Sequence, residues 1–204
     1  MTELQNICAK VMRTKISTPT RMLIKRKLIK GDVLHHGSGT ATYDTGAMIE
    51  VADSVTEHDP NYNNNPEALN KKYDTIVSNY VLNCLVPEER KQVITEISNA
   101  LKPSGKAFIT VRGKGLNRNR VISNIEDGVK TSIGTFQKTY TPQALIDDLK
   151  HNFNSIKIIK GKENLSSYKF NTMKAEHFFC KTCGIYTHHS RRTDPNGVGI
   201  NIGC

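Results

Sequence analysis

Hydrophobic and polar positions follow two different periods along this chain, one typical of helices and one typical of buried strands. A 3.6-residue period begins at Pro87 and predicts an amphipathic helix with apolar positions Val93, Ile94, Ile97 and Leu101. Short apolar runs on either side, in YDTIVSNYVLNCL and KAFITVRG, are typical of buried strands. A second helix with a threonine cap is predicted over residues 141–153.

The remaining segments extend this alternation of strands and helices. Residues 17–30 predict a short basic helix, capped by Thr18 or Thr20 and ended by Gly31. The other expected elements are a strand in DVLHH, a helix over 45–51, a strand over 54–58, a polar loop over 114–138 and a strand over 155–161. This order favours an α/β fold, a Rossmann-like and mostly parallel sheet with helices on both faces.

The charge of the chain is strongly positive and unevenly distributed. Of its 204 residues, 29 are lysine or arginine and 19 are aspartate or glutamate, which gives a net charge of +10. Positions 10–30 contain eight basic residues and no acidic residue, and a second basic stretch covers 111–120. Such patches attract nucleic acid or another acidic partner, although a solvated surface without a partner is equally consistent with them.

Neither a membrane span nor a secretory leader is predicted. No apolar run approaches the length of about 20 residues that a membrane helix needs, and MTELQNICAK lacks the apolar core of a signal peptide. The expected location is therefore cytoplasmic, where the five cysteines would be free or metal-bound rather than paired as disulfides.

The most informative turn is HHGSGT, between the first predicted strand and the next helix. Gly37 and Gly39 would let the backbone approach a ligand closely, and the helix that follows offers free N–H groups. Asp59 stands twenty residues after Gly39, at the end of the next strand, where an acid can hold a ribose diol.

These segments together resemble a known family. VLHHGSGT, VTEHDP, YDTIVSNYVLNCL and LKPSGKAFITVR match, in order, the motifs of class I S-adenosylmethionine-dependent methyltransferases. The resemblance covers about residues 12–158, and HDPNY with SNYVLNCL is similar to methyltransferases of phages and bacterial DNA-modification clusters. It implies a cofactor site formed by His35, Gly37, Ser38, Gly39, Asp59 and Asn79. No catalytic residue is implied beyond Asn79, which could bind a substrate or cap the following turn.

Two positions depart from the family pattern. His35 occupies the position of the usual acid at the end of the first strand, and Ala41 replaces the third glycine. An imidazole offers no carboxylate to pair with the amino group of the cofactor, although Asp44 lies close by and could compensate. The alternative is a non-catalytic basic binding module that does not methylate.

The last residues carry a different pattern, HFFCKTCGIYTHHSRR. Cys180 and Cys183 form a C-x-x-C, the spacing that directs two thiolates at one zinc ion. The segments after residue 159 resemble the glutathione-dependent formaldehyde-activating (CENP-V-like) family, in which an upstream C-x-C supplies the other two ligands of a structural zinc. The expected organisation is a methyltransferase-like domain over 1–158 followed by a zinc-type β fragment over 159–204.

The zinc half-site is incomplete in this chain. No C-x-C occurs in the sequence, so the missing ligands would come from a second chain or from His177, His188, His189 and Cys204. The carbon–sulfur lyase activity of the formaldehyde-activating family is a further alternative. It would need catalytic zinc cysteines that this sequence lacks.

Overall fold

The computed structural model describes residues 14–40, 42–113, 121–158, 165–169, 173, 175–180, 186–190 and 198–200. The chain divides into two compact units, Met1–Ile156 and Lys157–Cys204. Among the described residues, no helix is both long enough and apolar enough to span a membrane.

The first unit is built on a four-stranded parallel sheet. Its strands are β1 (Asp32–His36), β2 (Ser54–His58), β3 (Tyr73–Asn79) and β4 (Leu101–Thr110), in the spatial order β2-β1-β3-β4. Four helices accompany them: α1 (Thr18–Lys25), α2 (Thr42–Ile49), α3 (Pro87–Ala100) and α4 (Pro142–Leu149). The predicted α/β fold with a parallel sheet is therefore confirmed for this unit.

Helices cover both faces of the sheet because successive strand residues point to opposite sides. Leu34 and Ile76 are fully buried on one face and pack with Ile97 of α3. Val33 and Val77 are fully buried on the other face, where the apolar cluster includes Leu23 of α1 and Met48 of α2. The near-continuous apolar runs of β1 and β3 follow from burial on both faces.

The prediction of a polar loop over 114–138 is wrong for its described part. Residues 121–137 form an antiparallel sheet of β5 (Val121–Ile125), β6 (Gly128–Thr131) and β7 (Phe136–Gln137). Val121, Ile122 and Ile125 of β5 are β-branched, but the exposed Ser123 and Asn124 interrupt the apolar run that would have indicated a strand. Residues 114–120 lie outside the described part.

Several element ends also differ from expectation. The first helix ends at Lys25 rather than Lys30, because Lys27 adopts a left-handed backbone with φ of 53°. The last helix ends at Leu149 rather than Phe153. No strand forms over 155–158, and 159–161 lie outside the described residues. The cap of α1 is Ser17, whose Oγ accepts a hydrogen bond from the Thr20 N–H.

A buried ionic cluster joins the three-stranded sheet to the helices. Arg90 of α3 is only 3% exposed and donates two hydrogen bonds to Asp127, at 2.8 and 2.9 Å. It also donates to the Tyr140 hydroxyl at 3.1 Å and to Asp148 at 3.4 Å. Lys138 completes the arrangement with Nζ at 2.8 Å from Asp127, so every charge of this cluster has a partner of opposite sign.

The second unit contains an antiparallel sheet in its described part. Its strands are β8 (Leu165–Tyr168), β9 (His177–Cys180), β10 (Tyr186–Ser190) and β11 (Val198–Ile200), adjacent in chain order. These strands lie within 159–204, where a zinc-type β fragment was expected, and zinc binding there stays a prediction. Tyr168 and His177 stack across β8 and β9 with ring centroids 5.3 Å apart.

Candidate functional site

The carboxyl ends of β1, β2 and β3 meet at one edge of the sheet, called the carboxyl edge here, and the glycine turn lies there. Gly37 and Gly39 have φ angles of 68° and 66°, the left-handed conformation that glycine adopts without steric cost. The Gly37 N–H donates to the His58 carbonyl at 2.7 Å. A Cβ at Gly37 would overlap the Val81 side chain, whereas a Cβ at Gly39 would meet nothing within 4 Å. The Gly39 backbone is therefore open to a ligand.

Asp59 is joined to this turn. It follows β2, is 8% exposed, and its Oδ2 accepts a hydrogen bond from the Gly39 N–H at 2.9 Å. Its Oδ1 accepts from the N–H groups of Asn61 and Tyr62 at 2.9 and 3.2 Å. A carboxylate offers about four acceptor positions, so about one remains, on Oδ2, for a ligand hydroxyl.

Asn79 ends β3 on the same edge. Its Nδ2 donates to the Thr20 hydroxyl of α1 at 3.0 Å, and its Oδ1 has no hydrogen-bond partner among the described residues. The Ser38 hydroxyl is likewise buried without such a partner. An unpaired buried polar atom costs about 1–3 kcal/mol, so these two atoms favour a polar ligand at this edge.

A chain of buried hydrogen bonds holds the Asn79 amide in place. The Ser17 hydroxyl donates to the Thr20 hydroxyl at 3.0 Å, and the Ser17 N–H donates to Asp44 Oδ1 at 2.6 Å. Asp44 therefore joins α2 to α1 in the structure, and this is the acid that the sequence suggested as a substitute for the missing carboxylate.

His35 lies on the α2 side of the sheet. It is 3% exposed, and its Nδ1 is 2.8 Å from the Thr45 hydroxyl, which in turn donates to Glu57. The Glu57 Oε1 is 4.0 Å from His35 Nδ1. These contacts connect the ring to β2 and α2, and its role toward a cofactor stays a prediction.

Sequence reasoning missed a pair of neighbouring histidines, His36 and His58, which lie at the ends of β1 and β2. His36 points to the α3 face, with Nε2 at 3.6 Å from Glu96 Oε2 and its ring centroid 5.8 Å from that of His58. Burial, together with the neighbouring His36, lowers the pKa of His58, and His36 lowers the pKa of Glu96. The alternation of faces along β1 was the available signal, since it separates His35 from His36.

Tyr80 was also missed. It follows Asn79 with a φ of 64°, an uncommon conformation for a residue with a side chain, and its N–H donates to the Thr110 carbonyl at 2.7 Å. Such strained residues cluster at functional sites because the surrounding structure must hold them. The sequence SNYVLN contains no glycine or other sign of this turn.

The predicted zinc ligands remain untested. Cys183 lies outside the described residues, and Cys180 is described only as the last residue of β9. Among the described residues, no group of three or more histidine, cysteine, aspartate or glutamate side chains is arranged to hold a metal ion.

Comparison with known proteins gives distant similarities. No protein-family model matches the chain. It is similar to a DhpI–SAM–HEP complex, with 19% identity, 65% of this chain and 74% of that chain covered, and a TM-score of 0.48. It is also similar to the 1,6-didemethyltoxoflavin-N1-methyltransferase of Burkholderia thailandensis, solved with S-adenosylhomocysteine. That match has 14% identity, coverages of 82% and 72%, and a TM-score of 0.49.

A third similarity covers a short part of the chain. A structural-genomics protein of Rhodobacter sphaeroides is 51% identical over 23% of this chain, with a TM-score of 0.22. The chain spans 43% of the length of that protein. All three TM-scores are below 0.5, so the conclusions on fold and site rest on the described residues themselves.

Proposed function

We propose that this protein is an S-adenosylmethionine-dependent methyltransferase whose methyl acceptor is unassigned. The observation that carries the proposal is the hydrogen bond between the Gly39 N–H and Asp59 Oδ2, which joins the glycine turn to the acid after β2. The proposal is supported by the sequence motifs, which gave both residues a role in cofactor binding, and by their position at the carboxyl edge of a parallel sheet, where ligands of such folds commonly bind.

The residues present fit such a cofactor. The open backbone at Gly39, the buried unpaired Ser38 hydroxyl and the remaining acceptor position of Asp59 would hold its polar groups. When bound, the cofactor supplies a methyl group activated by its sulfonium. The protein then has to orient the acceptor and exclude water, which requires positioning rather than an obligate base.

Asn79 is the side chain best placed to orient an acceptor. Thr20 fixes its Nδ2, which leaves the buried Oδ1 available as a hydrogen-bond acceptor. Because α1 supplies Thr20, and Ser17 of the same segment is joined to Asp44, α1 and α2 together hold this amide rigid. A preorganised acceptor of this kind loses little entropy when a substrate binds.

Isothermal titration calorimetry with S-adenosylmethionine tests the proposal. We expect the wild type to bind and Asp59→Asn to bind on the order of tenfold or more weakly, because an amide loses the charge that organises the turn. Asp53→Asn serves as the matched control. Asp53 is exposed and immediately precedes β2, and this variant should bind like the wild type. Absence of binding by the wild type would instead favour the non-catalytic basic module.

The zinc prediction for the second unit is independent of methyl transfer. Metal analysis of the purified protein, with Cys183→Ser as the comparison, tests it directly. Zinc bound to the wild type and lost in the variant would support a metal site at the C-x-x-C. Equal metal content in both proteins would exclude it.

A further inference from the structure

A groove lies at the opposite end of the parallel sheet, where β1, β3 and β4 begin. Its volume is about 210 Å³, and Lys27, Lys30, Lys106 and Ser104 line it together with Asp74. Five residues of β1 separate this end from the glycine turn, which corresponds to roughly 16 Å at the rise of a strand. The groove is therefore a separate place from the candidate cofactor site.

Two separate segments, the connection between α1 and β1 and the strand β4, bring the lysines together. Lys27 lies in the left-handed turn after α1, and Lys30 precedes β1, where its backbone N–H and carbonyl both bond to the Thr75 hydroxyl, at 3.2 and 2.7 Å. Lys106 of β4 is the register partner of Thr75. The sheet thus holds the backbone at Lys30 and Lys106, and the Lys27 N–H donates to the Ile24 carbonyl of α1 at 2.9 Å, so all three lysines line one groove.

The charge of the groove is not neutralised from within. Asp74 is the only acid among the described residues that line it, and it already binds Lys102 Nζ at 2.7 Å and the Asp32 N–H at 3.0 Å. Lys102 lowers the pKa of Asp74, which therefore stays ionised and paired. Lys27, Lys30 and Lys106 are exposed and form no ion pair with the residues that the structure describes.

Three lysines elsewhere in the described residues are paired instead. Lys91, Lys150 and Lys169 each lie within 4 Å of a carboxylate, those of Glu88, Asp147 and Glu176. An acidic protein partner would normally need apolar or aromatic anchors in the centre of its interface. Among the described residues that line the groove, the half-buried Leu28 is the only apolar side chain and none is aromatic. Compact ammonium groups without apolar anchors suit phosphate oxygens.

We propose that this groove binds the phosphate backbone of a nucleic acid, independently of base sequence. Lys27, Lys30 and Lys106 contact phosphate oxygens, and the exposed Ser104 hydroxyl can donate one further hydrogen bond. The proposal does not depend on methyl transfer, because the groove lies at the other end of the sheet.

Fluorescence anisotropy with a labelled DNA duplex of about 20 base pairs, between about 50 and 200 mM NaCl, tests it. The logarithm of the association constant should fall linearly with the logarithm of salt concentration. In K27Q/K30Q/K106Q the slope should become shallower by about 3, one for each lost phosphate contact, with affinity reduced on the order of tenfold or more. K27R/K30R/K106R, which keeps the charges, should bind like the wild type.

The matched control is K91Q/K150Q/K169Q, which removes the same total charge from ion-paired lysines. It should lose clearly less affinity than the groove variant. Equal losses in the two variants would show diffuse attraction and overturn the groove. No binding by the wild type at the lowest salt concentration, or displacement of DNA by polyglutamate at equal charge concentration, would overturn the nucleic-acid assignment.

Discussion

The Arg90 cluster and the carboxyl edge both bury polar groups, but they do so in opposite ways. Around Arg90, each cation faces a carboxylate at hydrogen-bond or ion-pair distance, and the Tyr140 hydroxyl is shared between Arg90 and Asp148. At the carboxyl edge, Ser38 Oγ and Asn79 Oδ1 are buried without a described partner. One polar cluster is thus satisfied within the protein, whereas the other leaves two buried atoms that the proposed ligand would satisfy.

Removing Arg90 should have the largest effect. Arg90→Ala removes the hydrogen bonds of a buried guanidinium to Asp127, Asp148 and the Tyr140 hydroxyl, although Lys138 still pairs with both carboxylates. Hydrogen bonds to charged groups contribute about 1.5–3 kcal/mol each, so losing several together should lower the free energy of unfolding by about 3–5 kcal/mol. Urea denaturation measures this loss. Lys150→Ala, at an exposed pair with Asp147, should cost less than about 1 kcal/mol. Similar losses in the two variants would show that the cluster is not structural.

The two glycines of the turn should differ despite nearly equal φ angles. Gly37→Ala introduces a left-handed alanine, at about 1–2 kcal/mol, and also overlaps Val81, so its total loss of unfolding free energy should reach about 2–4 kcal/mol. Gly39→Ala should lose only the unfolding free energy that a left-handed alanine costs, and it should also weaken cofactor binding. The double variant Gly37→Ala with Val81→Ala should recover the part due to overlap. No recovery would contradict the proposed contact.

Asn79→Ala should change stability little and binding strongly. It removes one hydrogen bond to Thr20, worth about 1 kcal/mol, and at the same time an acceptor that was unpaired. Urea denaturation should therefore show a loss of about 1 kcal/mol or less. Titration with S-adenosylmethionine, alone and with trial acceptors, should show the larger effect. A stability loss equal to that of Arg90→Ala would remove the contrast between the two regions.

The smallest effect concerns pH. The lowered pKa of His58 means that, below its ordinary value of 6.5, the folded protein binds fewer protons than the unfolded chain. Stability should therefore fall as the pH decreases below that value, and it should fall further below about pH 4.5, where Glu96 protonates more readily in the unfolded chain. Thermal unfolding from pH 7.5 downward measures the trend. His58→Gln should make the loss of stability just below pH 6.5 smaller. An unchanged loss there would exclude His58 as its cause.

Local patterns predicted the parallel sheet and the positions of Gly39 and Asp59 after consecutive strands, because strand periodicity and the order of motifs are properties of neighbouring residues. They could not predict the Arg90 cluster, since Arg90 and Asp127 are 37 residues apart and each looks like an ordinary surface charge in the sequence. They also could not predict the contact of His36 with Glu96, or the strand β5, in which exposed polar residues interrupt the apolar pattern. Long-range pairing of polar groups is invisible to periodicity.

The central position of β1 also has a consequence for how the chain folds. Val33 of β1 pairs with Thr75 of β3, and β4 joins only when synthesis has passed Thr110. At ribosomal speeds of about 5–20 residues per second, β3 is synthesised roughly 2–8 s after β1, and until then the apolar side chains of β1 lack their contacts with β3. During that interval these side chains can pack only against α1, α2 and β2. Variants that loosen the contact between Ser17 and Asp44 should therefore aggregate during synthesis more than they unfold once folded.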